Sequence, residues 1–119
     1  MAELAATRLT IDLGALTHNH GVLRREAAGA EVAPVLKADG YGLGAGAIGA
    51  RLWDDGARTF FVARLSEGEA LRAALGPVRP ATIYVLDGFT AGSGARLAAS
   101  DLRPALSTLP QVSAAQAWA

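Results

Sequence analysis

The chain has eleven basic side chains, and Lys37 is the only lysine among them. Its amine is the group with distinctive chemistry. A guanidinium stays protonated and forms no simple imine, whereas a desolvated lysine can lose its proton and attack a carbonyl carbon. Just before it lies a short apolar run, residues 32–36 (VAPVL), with the length and β-branched content of a buried strand. Just after it come glycines at 40, 42, 44, 46 and 49. A reactive side chain at the carboxyl end of a buried strand, facing a loop, sits where α/β folds place their chemistry. The other candidates offer less. His18 and His20 are two residues apart on a predicted helix, so they face different ways, and no acidic cluster joins them. They read as ordinary surface or half-buried histidines, and no metal site is expected. Glu67 and Glu69 could form an acid–base pair, but Ser66 and Glu69 fit a capping box, and helix capping is the preferred reading. Gly44, Gly46 and Gly49 fit the G-x-G-x-x-G spacing of a dinucleotide site, with Arg64 as a candidate 2′-phosphate ligand. That fingerprint requires its first glycine directly after the strand, and here Gly44 comes seven positions after Lys37.

The elements that would position Lys37 alternate in type. Residues 7–12 alternate apolar and polar and predict a short strand. Asp12 is a candidate N-cap for a helix over 13–27, with Leu16, His20, Leu23 and Ala27 on one face and Gly29 as its stop. The strand at 32–36 and its glycine loop lead to a helix over 45–55. A buried strand over 59–63, a helix from the Ser66 cap to Gly76, a third buried strand over 81–86 and a weak helix over 90–99 follow. A short strand over 103–107 comes last, then a helix from Pro110 capped by Thr108 and Gln111. No stop signal precedes Ala119, so the final helix is expected to be cut short. The strand–helix unit recurs without hairpin turn chemistry, which predicts a parallel sheet with right-handed crossovers. Four such units are half of an eight-unit barrel of roughly 250 residues.

Composition narrows the function classes. The 119 residues fit at most one domain, and 51% are hydrophobic, enough to build a core. The formal net charge is zero, so nothing electrostatic points to nucleic acid or an anionic membrane. There is no cysteine, and no apolar run approaches the ~20 residues of a membrane span. No secretory leader is read at the start, and a cytoplasmic location is expected.

The stretch VLKADGYGLG (35–44) resembles the pyridoxal-phosphate lysine motif of the alanine racemase family, Val-Val-Lys-Ala-(Asp/Asn)-Ala-Tyr-Gly-His-Gly. RLTIDLGALTHNHGVLR (8–24) is similar to the family's opening strand and first helix, TFFVARLSEGEALR (59–72) to its next strand and helix, and IYVLDGF (83–89) to the strand after that. The resemblance implies a partial (β/α)8 TIM-type barrel: about the first four strand–helix units, preceded by an N-terminal strand and helix. The whole of 1–119 would be the N-terminal portion of the barrel domain, with the rest of the barrel and a mainly β domain beyond it. It further implies pyridoxal 5′-phosphate as cofactor, Lys37 as the cofactor-holding and catalytic base on the D-alanine face, and Tyr41 as a ligand of the cofactor phosphate. A partner-subunit tyrosine for the other face, two arginines and most phosphate ligands would fall beyond residue 119. Leu86 would at best pack near the ring. The implied reaction interconverts L- and D-alanine for peptidoglycan, in a homodimer, with serine as an alternative substrate. The isolated chain would be an incomplete fragment with little activity alone. Three positions depart from the motif pattern: Leu43 stands for histidine, Gly40 for alanine, and Pro34 interrupts the strand. The alternatives are a non-catalytic pyridoxal-phosphate-binding half barrel, a small single-barrel carrier of the same cofactor, and the dinucleotide module.

Overall fold

The computed structural model describes residues 5–119. Three short strands form one parallel sheet in the order β1 (Thr59–Val62), β2 (Thr82–Val85), β3 (Leu102–Pro104). Helices α4 (Leu65–Leu75) and α5 (Gly94–Ala99) connect them and α3 (Ala45–Asp54) leads into β1, in the alternating pattern of an α/β fold, flanked by α1 (Leu13–Glu26) and α6 (Leu109–Trp118). The short segment α2 (Lys37–Tyr41) completes the order.

Each strand alternates between two environments. Phe60, Val62, Ile83 and Val85 point outward under the helices and are almost wholly buried, packed with Leu36, Ile48, Leu52, Leu71 and Leu75. The other face carries a cross-strand row, Val35–Phe61–Tyr84–Arg103, aligned by the register of the ladders. The Phe61 and Tyr84 rings stack at 5.0 Å, and the Arg103 guanidinium lies 6.0 Å from the Tyr84 centroid. Inward rows of this kind fill the interior of a (β/α)8 barrel.

Polar groups tie the units together. Asp12 caps α1 by accepting the Ala15 amide at 3.0 Å, as expected. From α4, Arg72 donates to the carbonyls of Ala81, Ser100 and Asp101, gathering the entries to β2 and β3. His20 is buried, against the surface or half-buried reading. Its Nδ1 lies 2.7 Å from Asp55 Oδ2, and Arg24 donates to the Asp55 carbonyl, so α1 is pinned to the end of α3. His18 on the same helix is exposed.

Four sequence expectations change. Residues 7–12 form no strand: a strand exists only through a pairing edge, and these residues are exposed with none among the described residues. The expected strand at 32–36 contracts to one bridge, Val35 to Phe61. There Phe61 donates to Pro34 O and Leu36 donates to Phe61 O. The next rung would need a Pro34 N–H to meet the Thr59 carbonyl, and proline has none. The cap of α4 is Arg64, not Ser66, with Glu67 accepting the Arg64 amide at 2.8 Å. Glu69, freed from capping, forms a paired contact with Arg96 on α5. Finally, α5 begins at Gly94 rather than near residue 90, because Ser93 closes a tight turn on Thr90 first.

Candidate active site

Lys37 emerges where the Val35 bridge ends. Two residues beyond the Val35–Phe61–Tyr84 row, each chain reaches its carboxyl end, at Lys37, Ala63 and Leu86. The lysine therefore stands at the carboxyl edge of the parallel sheet, the edge that carries the active sites of barrel enzymes. It is exposed, and among the described residues it makes no ion pair.

The sequence predicted a glycine-rich loop after Lys37. The structure forms a left-handed turn instead. Ala38, Asp39, Gly40, Tyr41 and Gly42 have φ of 52°, 53°, 63°, 57° and 83°. Left-handed backbone costs an L-residue roughly 1–2 kcal/mol through the clash of Cβ with a carbonyl oxygen. Three non-glycine residues, Ala38, Asp39 and Tyr41, accept that cost within four positions. The turn is held by its own amides: Gly40 donates to Leu36 O at 2.9 Å, Gly42 to Ala38 O at 2.8 Å and Gly44 to Asp39 O at 2.8 Å. The Asp39 carboxylate then accepts the Ala45 amide at 2.9 Å and starts α3. Gly40 is buried, and a Cβ there would lie 3.2 Å from the Ala45 nitrogen. Its absence lets the turn close against α3 rather than loosening it.

One carboxylate joins this turn to the sheet. Glu67 Oε2 accepts the Ala38 amide at 2.6 Å, and Glu67 Oε1 accepts the amides of Ala63 at 3.0 Å and Arg64 at 2.8 Å. In the sequence Glu67 reads only as part of the capped start of a helix. The signal available was a glutamate just past a strand end, which does not reveal a contact spanning 29 positions of chain. Tyr41, at the far end of the turn, is 63% exposed. Leu43 is also exposed. The glycines of the dinucleotide spacing face elsewhere: a Cβ on Gly49 would meet Leu71 at 2.9 Å and one on Gly46 would meet Ala74 at 3.0 Å, so both serve the approach of α3 to α4. Arg64 is exposed at the start of α4.

A cleft of about 560 Å³ lies elsewhere, between α1 and the Gly29–Val32 segment at the amino end of the sheet. The Lys37 edge is the candidate site because the one lysine amine of the chain stands there. A smaller cleft of about 240 Å³ behind the lysine turn is lined by Asp39, Gly46, Ser66 and Glu67 among others.

Residues 11–119 match the family model described as alanine racemase, N-terminal domain. The chain belongs to the alanine racemase family. An alanine racemase of Methylobacterium nodulans is 53% identical over 105 residues, which cover 88% of this chain and 28% of that protein. The Brucella ovis alanine racemase is 44% identical over 104 residues, 87% of this chain and 26% of that protein. A crystal structure of alanine racemase from Bartonella henselae with covalently bound pyridoxal phosphate superposes with a TM-score of 0.79 at 35% identity, over 87% of this chain and 28% of that one. The Acinetobacter baumannii alanine racemase, at 22% identity and a TM-score of 0.76, shares the fold over 91% of this chain and 31% of that one. The sheet described above is thus a partial barrel of the alanine racemase type, and the chain spans little more than a quarter of the length of these curated relatives.

Proposed function

We propose that residues 1–119 are the N-terminal part of a pyridoxal 5′-phosphate-binding barrel domain that racemises alanine, with Lys37 as its catalytic and cofactor-holding residue and Tyr41 as a phosphate ligand. The observation that carries this reading is the place of Lys37: a lone, exposed lysine at the carboxyl edge of a parallel sheet, on a strained turn, in a chain of this family. The residues present suit the cofactor. An aldehyde needs an amine free to react, and among the described residues no carboxylate lies within ion-pair distance of Lys37. A phosphate needs donors, and the Tyr41 hydroxyl is exposed four positions further along the same turn.

When bound, pyridoxal 5′-phosphate supplies an electron sink that acidifies the α-hydrogen of an amino acid. The protein's part is to hold and to move protons. Lys37 Nζ would hold the cofactor aldehyde and, as a free amine, would remove the α-proton on one face in one direction of the reaction and deliver a proton to that face in the other. Tyr41 Oη would donate to the phosphate. A second base for the opposite face, contributed by a partner subunit in a homodimer, completes racemisation. On this reading L- and D-alanine are the substrates, D-alanine serves peptidoglycan and the location is cytoplasmic. Among the described residues no helix is long and apolar enough to cross a membrane. The isolated 119-residue chain is expected to bind cofactor with little racemisation, as a non-catalytic partial barrel, because it spans so little of its relatives.

The test is covalent trapping. The chain is mixed with pyridoxal 5′-phosphate, reduced with borohydride and mapped by peptide mass. The expected adduct is on Lys37 and disappears in Lys37→Ala. Because Lys37 is exposed, that variant should keep its stability within about 0.5 kcal/mol. Label found only on the N-terminal amine, the built-in control, would remove the proposal.

A further inference from the structure

We propose that Glu67 is a positioning residue for Lys37: its carboxylate clamps the left-handed lysine turn to the end of β1 and so fixes where the amine points. The proposal rests on the reading of Lys37 given above. Glu67 contributes no atom to the reaction and acts through the Ala38 peptide.

Two observations carry it. The three groups that Glu67 contacts are all backbone N–H donors, and they come from two separate segments. Ala63 and Arg64 close β1 and open α4, while Ala38 directly follows Lys37. Both oxygens must therefore accept, which a carboxylate does and an amide cannot, since a glutamine would turn its NH2 toward one of the N–H groups. In addition, the lysine turn is strained. Its entry is tied to β1 by the Leu36 amide, which donates to Phe61 O at 2.8 Å, but past Lys37 its backbone hydrogen bonds run inside the segment from Leu36 to Gly44 or forward into α3. Those bonds fix the shape of the turn but not its tilt on the sheet edge. The 2.6 Å contact from Ala38 to Glu67 is the polar link from the residues past Lys37 to the end of β1. A lysine has a long, freely rotating stem, so the direction of its Cα–Cβ bond decides which region the amine samples. Pinning the next peptide fixes that direction.

Glu67→Gln and Glu67→Asp test the clamp. The aspartate keeps the charge but is one methylene too short to reach both segments. The first readout is amide hydrogen exchange at Gly40, Gly42 and Gly44, whose N–H groups close the turn, with Ile83 and Val85 in β2 reporting global unfolding. The second is the borohydride-trapped adduct on Lys37 relative to that on the N-terminal amine. We expect turn exchange to rise about tenfold in both variants while β2 keeps its protection. The Lys37 to N-terminal adduct ratio should fall by about the same factor. Glu69→Gln, on the same helix but paired with Arg96, should leave both readouts at wild-type levels. Wild-type turn exchange and adduct ratio in both Glu67 variants would overturn the clamp. So would an equal loss of protection in β2, which would make Glu67 a general stability residue. A wild-type chain that takes no Lys37 adduct defeats the racemase reading instead, while the exchange measurement still decides the role of Glu67.

Discussion

At the scale of single residues, the lysine turn sets stability against function. Tyr41 has φ of 57° and is 63% exposed, so its side chain gains little from packing while its backbone carries left-handed strain. Glycine occupies that region without the Cβ clash. Tyr41→Gly should therefore raise stability by up to about 1 kcal/mol in urea titrations, the conformational relief being partly offset by a looser unfolded chain. Tyr41→Phe keeps the strain and removes only the hydroxyl, so its unfolding midpoint should stay at the wild-type value. Both variants should weaken retention of pyridoxal 5′-phosphate, by about tenfold for the loss of one hydrogen bond to a charged group. An unaltered cofactor titration for Tyr41→Phe would remove the phosphate role from Tyr41. Lys37 could be read from the sequence because its residue type is unique in the chain. Glu67 could not, because glutamate near a strand end is common and its partner at Ala38 is a backbone amide, which has no signature in sequence.

At the scale of elements, close approach of helix and strand governs what can be changed. Gly68 faces β3 from α4, and a Cβ there would lie 2.9 Å from Leu102 Cδ1 and 3.4 Å from Val85 Cγ2. Both neighbours are buried and have little room to yield. Overpacking costs about 1–3 kcal/mol, and alanine recovers about 1 kcal/mol of helix propensity. Gly68→Ala should thus destabilise by about 1 kcal/mol net and lower the melting temperature by a few degrees. A variant with raised stability would show that α4 can shift away from β3 freely. The strand and helix order was legible here because burial under the helices imposes apolar runs on β1 and β2, and glycine marks the end of α4. The strand around Val35 was overestimated for a physical reason already visible in the chain: Pro34 supplies one acceptor and no donor, so the ladder stops at a single bridge.

At the scale of the whole molecule, the partial barrel is open. Its radius of gyration is 16.6 Å, against about 13.5 Å for a compact chain of this length. Val35, Leu86, Leu106 and Leu109 stay exposed as a consequence. Surface ion pairs brace the successive units: Arg79 with Asp54, and Arg96 with Glu69. Hydrogen bonding from Arg79 holds Asp54 below the usual carboxylate range, and hydrogen bonding from Arg96 does the same for Glu69. With folded pKa values below the unfolded ones, these carboxylates contribute stability above the unfolded carboxylate range. That contribution is lost as pH falls through the folded values, beginning below about pH 4. Urea midpoints should accordingly drop between pH 6 and pH 3, modestly because both pairs are solvent-exposed, and less in high salt. Glu69→Gln should flatten part of this acid dependence. An identical pH profile in that variant would show that the Arg96 pair contributes nothing.

The sequence by itself determined the alternation of strand and helix, the parallel sheet, and the lysine proposed to carry the chemistry, because burial, capping and a unique amine all leave marks in residue type and spacing. Tertiary structure alone decided how that amine is presented. Left-handed backbone at Ala38, Asp39 and Tyr41 opposes the local preference of those residues, and the turn's own amides sustain it together with the Glu67 contact made across the fold. The Glu67 clamp and the burial of His20 against Asp55 have the same origin: each joins segments that only the folded sheet brings together.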